Sequence, residues 1–310
     1  MLIYKTYKLK KNNKKSKKYL GVSEIKNDFY KEEKALKYIK NKNYKLAESI
    51  FRELILNGSK NEKVYSNLAV LLSFQGKNEE VKNLLEKAIQ INSKYYEAYT
   101  NLGVIYNQEK NYYKAIDFLK KAINIFPNYC SAHFNLGNAY KEISNFEDAI
   151  NSYKKTIKIE QNHFSAFHNI GLIYHEMKNL GNALNYYEKA LLINPNSYIT
   201  LNNTGLVYRE IGEYDIALNY YKKVIKINKN YAEVYNNQGV TLYKKNNLLQ
   251  AIQSFQTGIS LNPKFDELYL NFGIVREEQG EFESAVKLYD IAYEINKNIN
   301  IFMIRASAKR

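Results

Sequence analysis

The chain has 310 residues and a formal charge of +15, from 46 Lys and Arg against 31 Asp and Glu; 45% of its residues are hydrophobic and 30 are Tyr. That apolar content excludes a wholly disordered chain, and only 3 Pro and 13 Gly argue against an all-β or loop-rich protein, so the class expected is all-α. A single cysteine, Cys130, excludes an internal disulfide framework and a cysteine-based zinc site.

Residues 1–27 form a Lys-rich leader. Residues 1–18 hold eight Lys and no acid, and residues 1–45 hold fifteen Lys against four acids, a net of +11. The expectation is a solvated, disordered or partly helical segment. Contact of these lysines with nucleic acid or an anionic membrane is a weaker reading, because neither an arginine cluster nor interleaved aromatics accompany them. The basic N-terminus lacks the apolar centre of a signal peptide, and no run reaches the roughly eighteen apolar residues that a membrane span needs. A cytoplasmic location is expected.

From Asp28 to Ile299 the sequence realigns on itself every 34 residues without a gap, giving eight units that start at 28, 62, 96, 130, 164, 198, 232 and 266. The unit from Tyr96 to Tyr129 sets the pattern: a large residue at position 4 (Tyr99), Leu102 at 7, Gly103 at 8, Tyr106 at 11, Ala115 at 20, Leu119 at 24, Ala122 at 27 and Pro127 at 32. Position 8 is Gly in six units and Ala in the other two, and position 20 is Ala in all but the second, which has Val81. Small residues at both places let two helix backbones approach, while larger ones at 4, 7, 11 and 24 fill the space between hairpins. The three prolines, Pro127, Pro195 and Pro263, all fall at position 32, where a helix must stop. Each unit therefore predicts helix A over positions 1–14, a tight turn near 15–17, and helix B over 18–31. Lys31 and Lys34 at positions 4 and 7 predict a fraying first hairpin, and Gln238 and Gly258 a weakened seventh. Residues 300–310 begin what would be a ninth helix A, either a capping helix or a truncated unit.

This spacing resembles the tetratricopeptide repeat. The resemblance implies a right-handed α-solenoid superhelix of tandem antiparallel helix pairs, with helix A lining the concave surface. At about 100° per residue, positions 2, 5, 6, 9, 12 and 13 lie opposite the packing face and would form that groove. Position 6 is Asn in seven consecutive units: Asn67, Asn101, Asn135, Asn169, Asn203, Asn237 and Asn271. An amide both donates and accepts, so a row of them can grip the main chain of an extended peptide whatever its side chains. The row is similar to the asparagine ladder in the repeat arm of the O-linked N-acetylglucosamine transferases. Position 9 supplies aliphatics in seven units, among them Val104, Leu172, Leu206 and Val240, and position 13 supplies acids including Glu176 and Glu210. The aliphatics either line the groove or pack against neighbouring helices; the acids favour a basic or neutral peptide over nucleic acid. The Lys and Arg set by which relatives clamp a C-terminal carboxylate is missing, position 2 offering only Lys63.

Nothing in the pattern points to catalysis. The chain has no glycine-rich phosphate loop, nucleophile elbow or zinc-protease spacing. His168 and His175 share a helix face, but two turns, about 10 Å, separate them, too far for one ion. The expectation is a scaffold without enzymatic activity, cofactor, metal or small-molecule substrate, binding an extended protein segment. The rival is a substrate-docking arm of, or partner to, a protein O-glycosyltransferase-like enzyme whose catalytic domain lies elsewhere.

Overall fold

The computed structural model describes residues 22–297, and the readings placed on residues 1–21 and 298–310 lie outside them. Sixteen helices and no strand occur among the described residues, and none of these helices is long and apolar enough to cross a membrane. They form two compact units divided between Gln161 and Asn162. The first holds α1 (Val22–Lys40), α2 (Tyr44–Leu56), α3 (Glu62–Ser73), α4 (Asn78–Ile91), α5 (Tyr96–Gln108), α6 (Tyr112–Ile125), α7 (Cys130–Glu142) and α8 (Phe146–Ile159). The second holds α9 (Phe164–Glu176), α10 (Leu180–Ile193), α11 (Tyr198–Ile211), α12 (Tyr214–Ile227), α13 (Ala232–Lys244), α14 (Leu248–Leu261), α15 (Asp266–Glu278) and α16 (Phe282–Ile295). Within each unit, every odd helix packs most extensively on the even helix after it, and successive hairpins stack.

The turn inside each hairpin pivots on the same position eight times. Position 15 takes a left-handed backbone whether it is Gly (Gly76, Gly212, Gly280) or not (Lys42, Lys110, Ser144, Lys178, Asn246), with φ between 57° and 96°. In seven of the eight hairpins the following N–H then reaches back to the carbonyl of position 11, as from Asn111 to Tyr106 and from Asn179 to Tyr174, both at 2.8 Å. This closes helix A by the 6→1 bond of a Schellman-type C-cap. Helix B restarts at once, in several hairpins on an asparagine cap: Asn179 Oδ1 accepts from the Asn182 N–H at 3.2 Å, and Asn111, Asn145 and Asn247 act alike.

The close approach foreseen at position 8 is real. A Cβ placed on Gly137, Gly171 or Gly205 would lie 2.5–2.7 Å from the ring of Tyr153, Tyr187 or Tyr221, the position-24 residue of the same hairpin. Those rings are fully buried, as are the position-20 alanines. The packing face is wider than periodicity indicated. Position 3 (Val64, Ala98, Ala132, Ala166, Thr200, Val234, Leu268) and position 10 (Leu71, Ile105, Ala139, Ile173, Val207, Thr241, Val275) are at most 3% exposed, more deeply buried than most residues at positions 4 and 11. Helix A is covered from two directions, by its own helix B and by the neighbouring hairpins, so one arc of about 100° does not contain its core.

In the seventh repeat, Gly258 leaves room that Leu268 fills: a Cβ there would meet the Leu268 side chain at 2.6 Å, whereas the third to fifth repeats place Ala98, Ala132 and Ala166 where Leu268 stands. Gln238 accepts a hydrogen bond from Ser254 Oγ at 3.2 Å. In the first hairpin α1 begins at Val22, six residues before the repeat register. Of its residues 28–40 only Ala35 and Ile39 are buried, while Phe29 and Tyr30 stand exposed.

Candidate peptide-binding groove

Within the units, helix A lies beside helix A of the next repeat for α5 and α7, α9 and α11, α11 and α13, and α13 and α15, and every odd helix from α3 to α15 carries a position-6 asparagine. All seven are half-buried. Their amides do not share one state. In the second unit, Asn237 Nδ2 donates to Oδ1 of Asn202 at 3.0 Å, and Asn271 Nδ2 donates to Oδ1 of Asn236 at 2.9 Å. Each bond joins position 6 of one repeat to position 5 of the repeat before. Asn236 Nδ2 in turn reaches Glu267 Oε2 at 3.5 Å, and Arg209 Nη1 stands 3.4 Å from Asn237 Oδ1. Asn203 lies beside the phenol of Tyr187, whose pKa burial raises and Asn203 partly lowers.

In the first unit, Asn135 Nδ2 donates to the Ser131 carbonyl at 2.8 Å, and the Asn135 carbonyl accepts from Asn107 Nδ2 at 3.0 Å. No described residue hydrogen-bonds the side chain of Asn67 or Asn101. Asn169 is engaged within the protein as well.

Burial is uneven at two of the groove positions. Position 5 is largely inside: Ser66, Thr100, Asn202 and Asn236 are 2–5% exposed, because the next helix A leans over them. The position-9 aliphatics are not a uniform open stripe. Val104 is 6% exposed, Leu172, Leu206 and Val240 are half-buried, and Leu36 stands exposed. At Asn138, the exception to the aliphatic pattern, the amide oxygen accepts from the Tyr153 hydroxyl at 2.7 Å.

The acidic edge is partly neutralised. Glu210 has His175 Nε2 at 2.9 Å and Lys178 Nζ at 3.0 Å; burial works to raise its pKa, but the hydrogen bonds from Lys178 and His175 hold the carboxyl below its ordinary value. Glu278 bonds the Tyr243 hydroxyl, which pushes that phenol's pKa up, and Glu277 accepts from the Tyr289 hydroxyl at 2.6 Å. Glu176 is exposed. The two histidines serve different partners, His168 Nδ1 lying 2.9 Å from Thr200 Oγ1 while His175 faces Glu210. Sequence reasoning missed the pairing of Asn202 and Asn236 with the ladder. Its trace was present, as the Asn-Asn doublets at 202–203 and 236–237 in matching places of adjacent repeats.

Stacked antiparallel helix pairs, small residues at the crossing and a left-handed turn inside every hairpin define an all-α solenoid. Family models described as tetratricopeptide repeat match residues 62–95, 94–162, 163–230, 220–253 and 238–298, and the chain belongs to the tetratricopeptide-repeat family. None of the curated proteins is similar to it in sequence at a significant level. Among solved structures, a tetratricopeptide repeat protein from Parabacteroides merdae is 17% identical over 81% of this chain and 99% of that one, with a TM-score of 0.65. YrrB, described as a TPR protein with an unusual peptide-binding site, is 22% identical over 59% of this chain and 95% of its own, with a TM-score of 0.51. The Cut9–Hcn1 hetero-tetramer of the APC/C gives 14% identity over 86% of this chain and 53% of that one, with a TM-score of 0.63. At these identities the likeness is one of fold.

Proposed function

We propose that the chain is a non-catalytic protein-interaction scaffold that holds extended peptide segments along its A helices through the position-6 asparagines. The observation that carries this reading is the row itself: seven consecutive amides, at one register position, each half-exposed. A repeated amide suits a repeated main chain, since peptide N–H and C=O groups recur whatever the side chains are. Position-9 aliphatics such as Leu172, Leu206 and Val240 give partial apolar contact, and Glu176 and Glu210 shape the charge at the edge. The peptide-binding description of YrrB supports the reading by likeness of fold.

The test compares the proteins captured by the full chain with those captured by a variant carrying Asn135→Ala, Asn169→Ala and Asn203→Ala. Partners lost by a variant of unchanged helicity support groove binding; an identical partner set refutes it. The ladder also supports a second reading, a docking arm that presents protein substrates to an O-glycosyltransferase-like enzyme. Under that reading the captured partners include such an enzyme together with its acceptor proteins.

A further inference from the structure

We propose that the groove face of α9, α11, α13 and α15 is a hydrogen-bond acceptor surface, selective for extended segments rich in Lys and Arg. The inference rests on the groove reading above and adds the chemistry of the occupant.

The first argument is amide polarity. A primary amide offers two N–H donors at one end and a carbonyl acceptor at the other, so fixing one end decides what the other presents. Asn236 and Asn202 are 5% and 4% exposed and cannot turn freely, and each points its Oδ1 at the ladder residue of the next repeat. Asn271 and Asn237 answer with their Nδ2 groups at 2.9 and 3.0 Å. No described residue donates to Asn271 Oδ1, and Asn237 Oδ1 has Arg209 Nη1 at 3.4 Å, which shows the kind of group that fits.

The second argument is charge. At groove positions 2, 5, 6, 9, 12 and 13, these four helices carry six Glu against Arg209 and Lys244, in a protein whose formal charge is +15. Glu233, Glu267 and Glu278 are exposed on the same helices as the oriented amides. Lys and Arg are donor-only side chains, so acceptor oxygens and carboxylates together form their complement. An acidic segment would face six carboxylates and the oriented carbonyl oxygens, with Arg209 and Lys244 as the cationic donors among these groove positions, and would be disfavoured.

The experiment is a randomised library of short peptides captured on the immobilised full chain, with the bound peptides sequenced. Two variants run in parallel: one carries Glu233→Gln, Glu267→Gln and Glu278→Gln, the other Asn237→Ala and Asn271→Ala. Exposed carboxylates tolerate amidation, and far-ultraviolet circular dichroism checks the helicity of both. The expected result is Lys and Arg enriched about threefold per position over the input, as one exposed charge pair gives, with Asp and Glu depleted, and the bias lost in the Gln variant. Capture without cationic bias that still falls in the asparagine variant overturns the selectivity and leaves the groove reading standing. Capture indifferent to both variants overturns both. Enrichment of acidic peptides in the wild-type chain overturns the selectivity outright.

Discussion

Replacing Gly205 by Ala tests the packing on which the whole groove is mounted. The added methyl would sit 2.5 Å from Cε1 of Tyr221, 3.0 Å from Cδ1 and 3.1 Å from Cζ, where carbon atoms ordinarily stand about 3.5–4.0 Å apart. The Tyr221 ring is fully buried, so it can yield only by moving α11 away from α12. Overpacking of this kind costs about 1–3 kcal/mol, offset by the roughly 0.5–1 kcal/mol that Ala gains over Gly inside a helix. The net expectation is a loss of about 0.5–2 kcal/mol. Gly181 in α10 is the control: nothing lies within 4 Å of its Cβ position, so Gly181→Ala keeps the helix gain without the clash. Because a stack of repeats need not unfold in one step, the assay is hydrogen exchange of the α11 and α12 amides read beside the urea midpoint. The chain offers a rescue of its own, since Ala69 occupies the same position opposite Leu85. Tyr221→Leu should therefore recover part of the loss in the Gly205→Ala background. If Gly205→Ala is as stable as Gly181→Ala, the close approach of the two helices is not a constraint and the argument fails.

Other consequences are as direct. Lys110 holds φ at 60° in the turn between α5 and α6, so Lys110→Gly should relieve roughly 1 kcal/mol of left-handed strain, read as a higher urea midpoint, whereas Gly212→Ala at φ 96° should lower it. Burial pushes the Tyr221 phenol up to about 12, so the folded state holds its proton where the unfolded chain, near 10, gives it up. Stability from this group is complete below pH 10 and declines as pH rises from 10 to 12, by roughly 3 kcal/mol, and Tyr221→Phe should flatten that part of the alkaline unfolding curve. Hydrogen bonds from Lys178 and His175 hold the Glu210 carboxyl below its ordinary value, so its contribution is present above about pH 4.5 and fades as pH falls through its lowered pKa; Glu210→Gln should cost under about 1 kcal/mol at pH 7 and progressively less as acid protonates the carboxyl, by urea titration at each pH.

Much of the fold was legible because the 34-residue period repeats the same contacts. Gly171 and Tyr187, or Gly205 and Tyr221, announce a close helix crossing by size alone, and Pro127, Pro195 and Pro263 mark where helix B ends. The width of the buried face was not legible. Periodicity reports one preferred direction, and helix A has two covered sides, so Ala139 and Val207 at position 10 read as incidental although they are fully buried. The left-handed residue at position 15 was equally hidden, since five of the eight are Lys, Ser or Asn, held there by the hydrogen bond that closes the turn and not by glycine's freedom.

For the groove, the asparagine row was visible and its state was not, because the hydrogen bonds between residues 35 apart show in the sequence only as the Asn-Asn doublets at 202–203 and 236–237. Asn237 and Asn271 are bound to Asn202 and Asn236, whereas Asn67 and Asn101 are bound to no described side chain. The same residue type thus does different work along one row. Where position 5 of the repeat before is Asn, as for Asn237 and Asn271, the ladder amide is a strut between repeats; where it is Glu32, before Asn67, or Ser66, before Asn101, no described residue holds the amide. Binding and stability should consequently separate by place. Asn67→Ala and Asn101→Ala should weaken a bound segment without touching the urea midpoint, while Asn271→Ala should lower both, the latter by the roughly 1 kcal/mol of a single hydrogen bond and more if Asn236 is left unsatisfied. Equal effects on stability at Asn101 and Asn271 would mean that the pairing through position 5 carries no energy, and with it would go the fixed amide polarity on which the cationic selectivity depends.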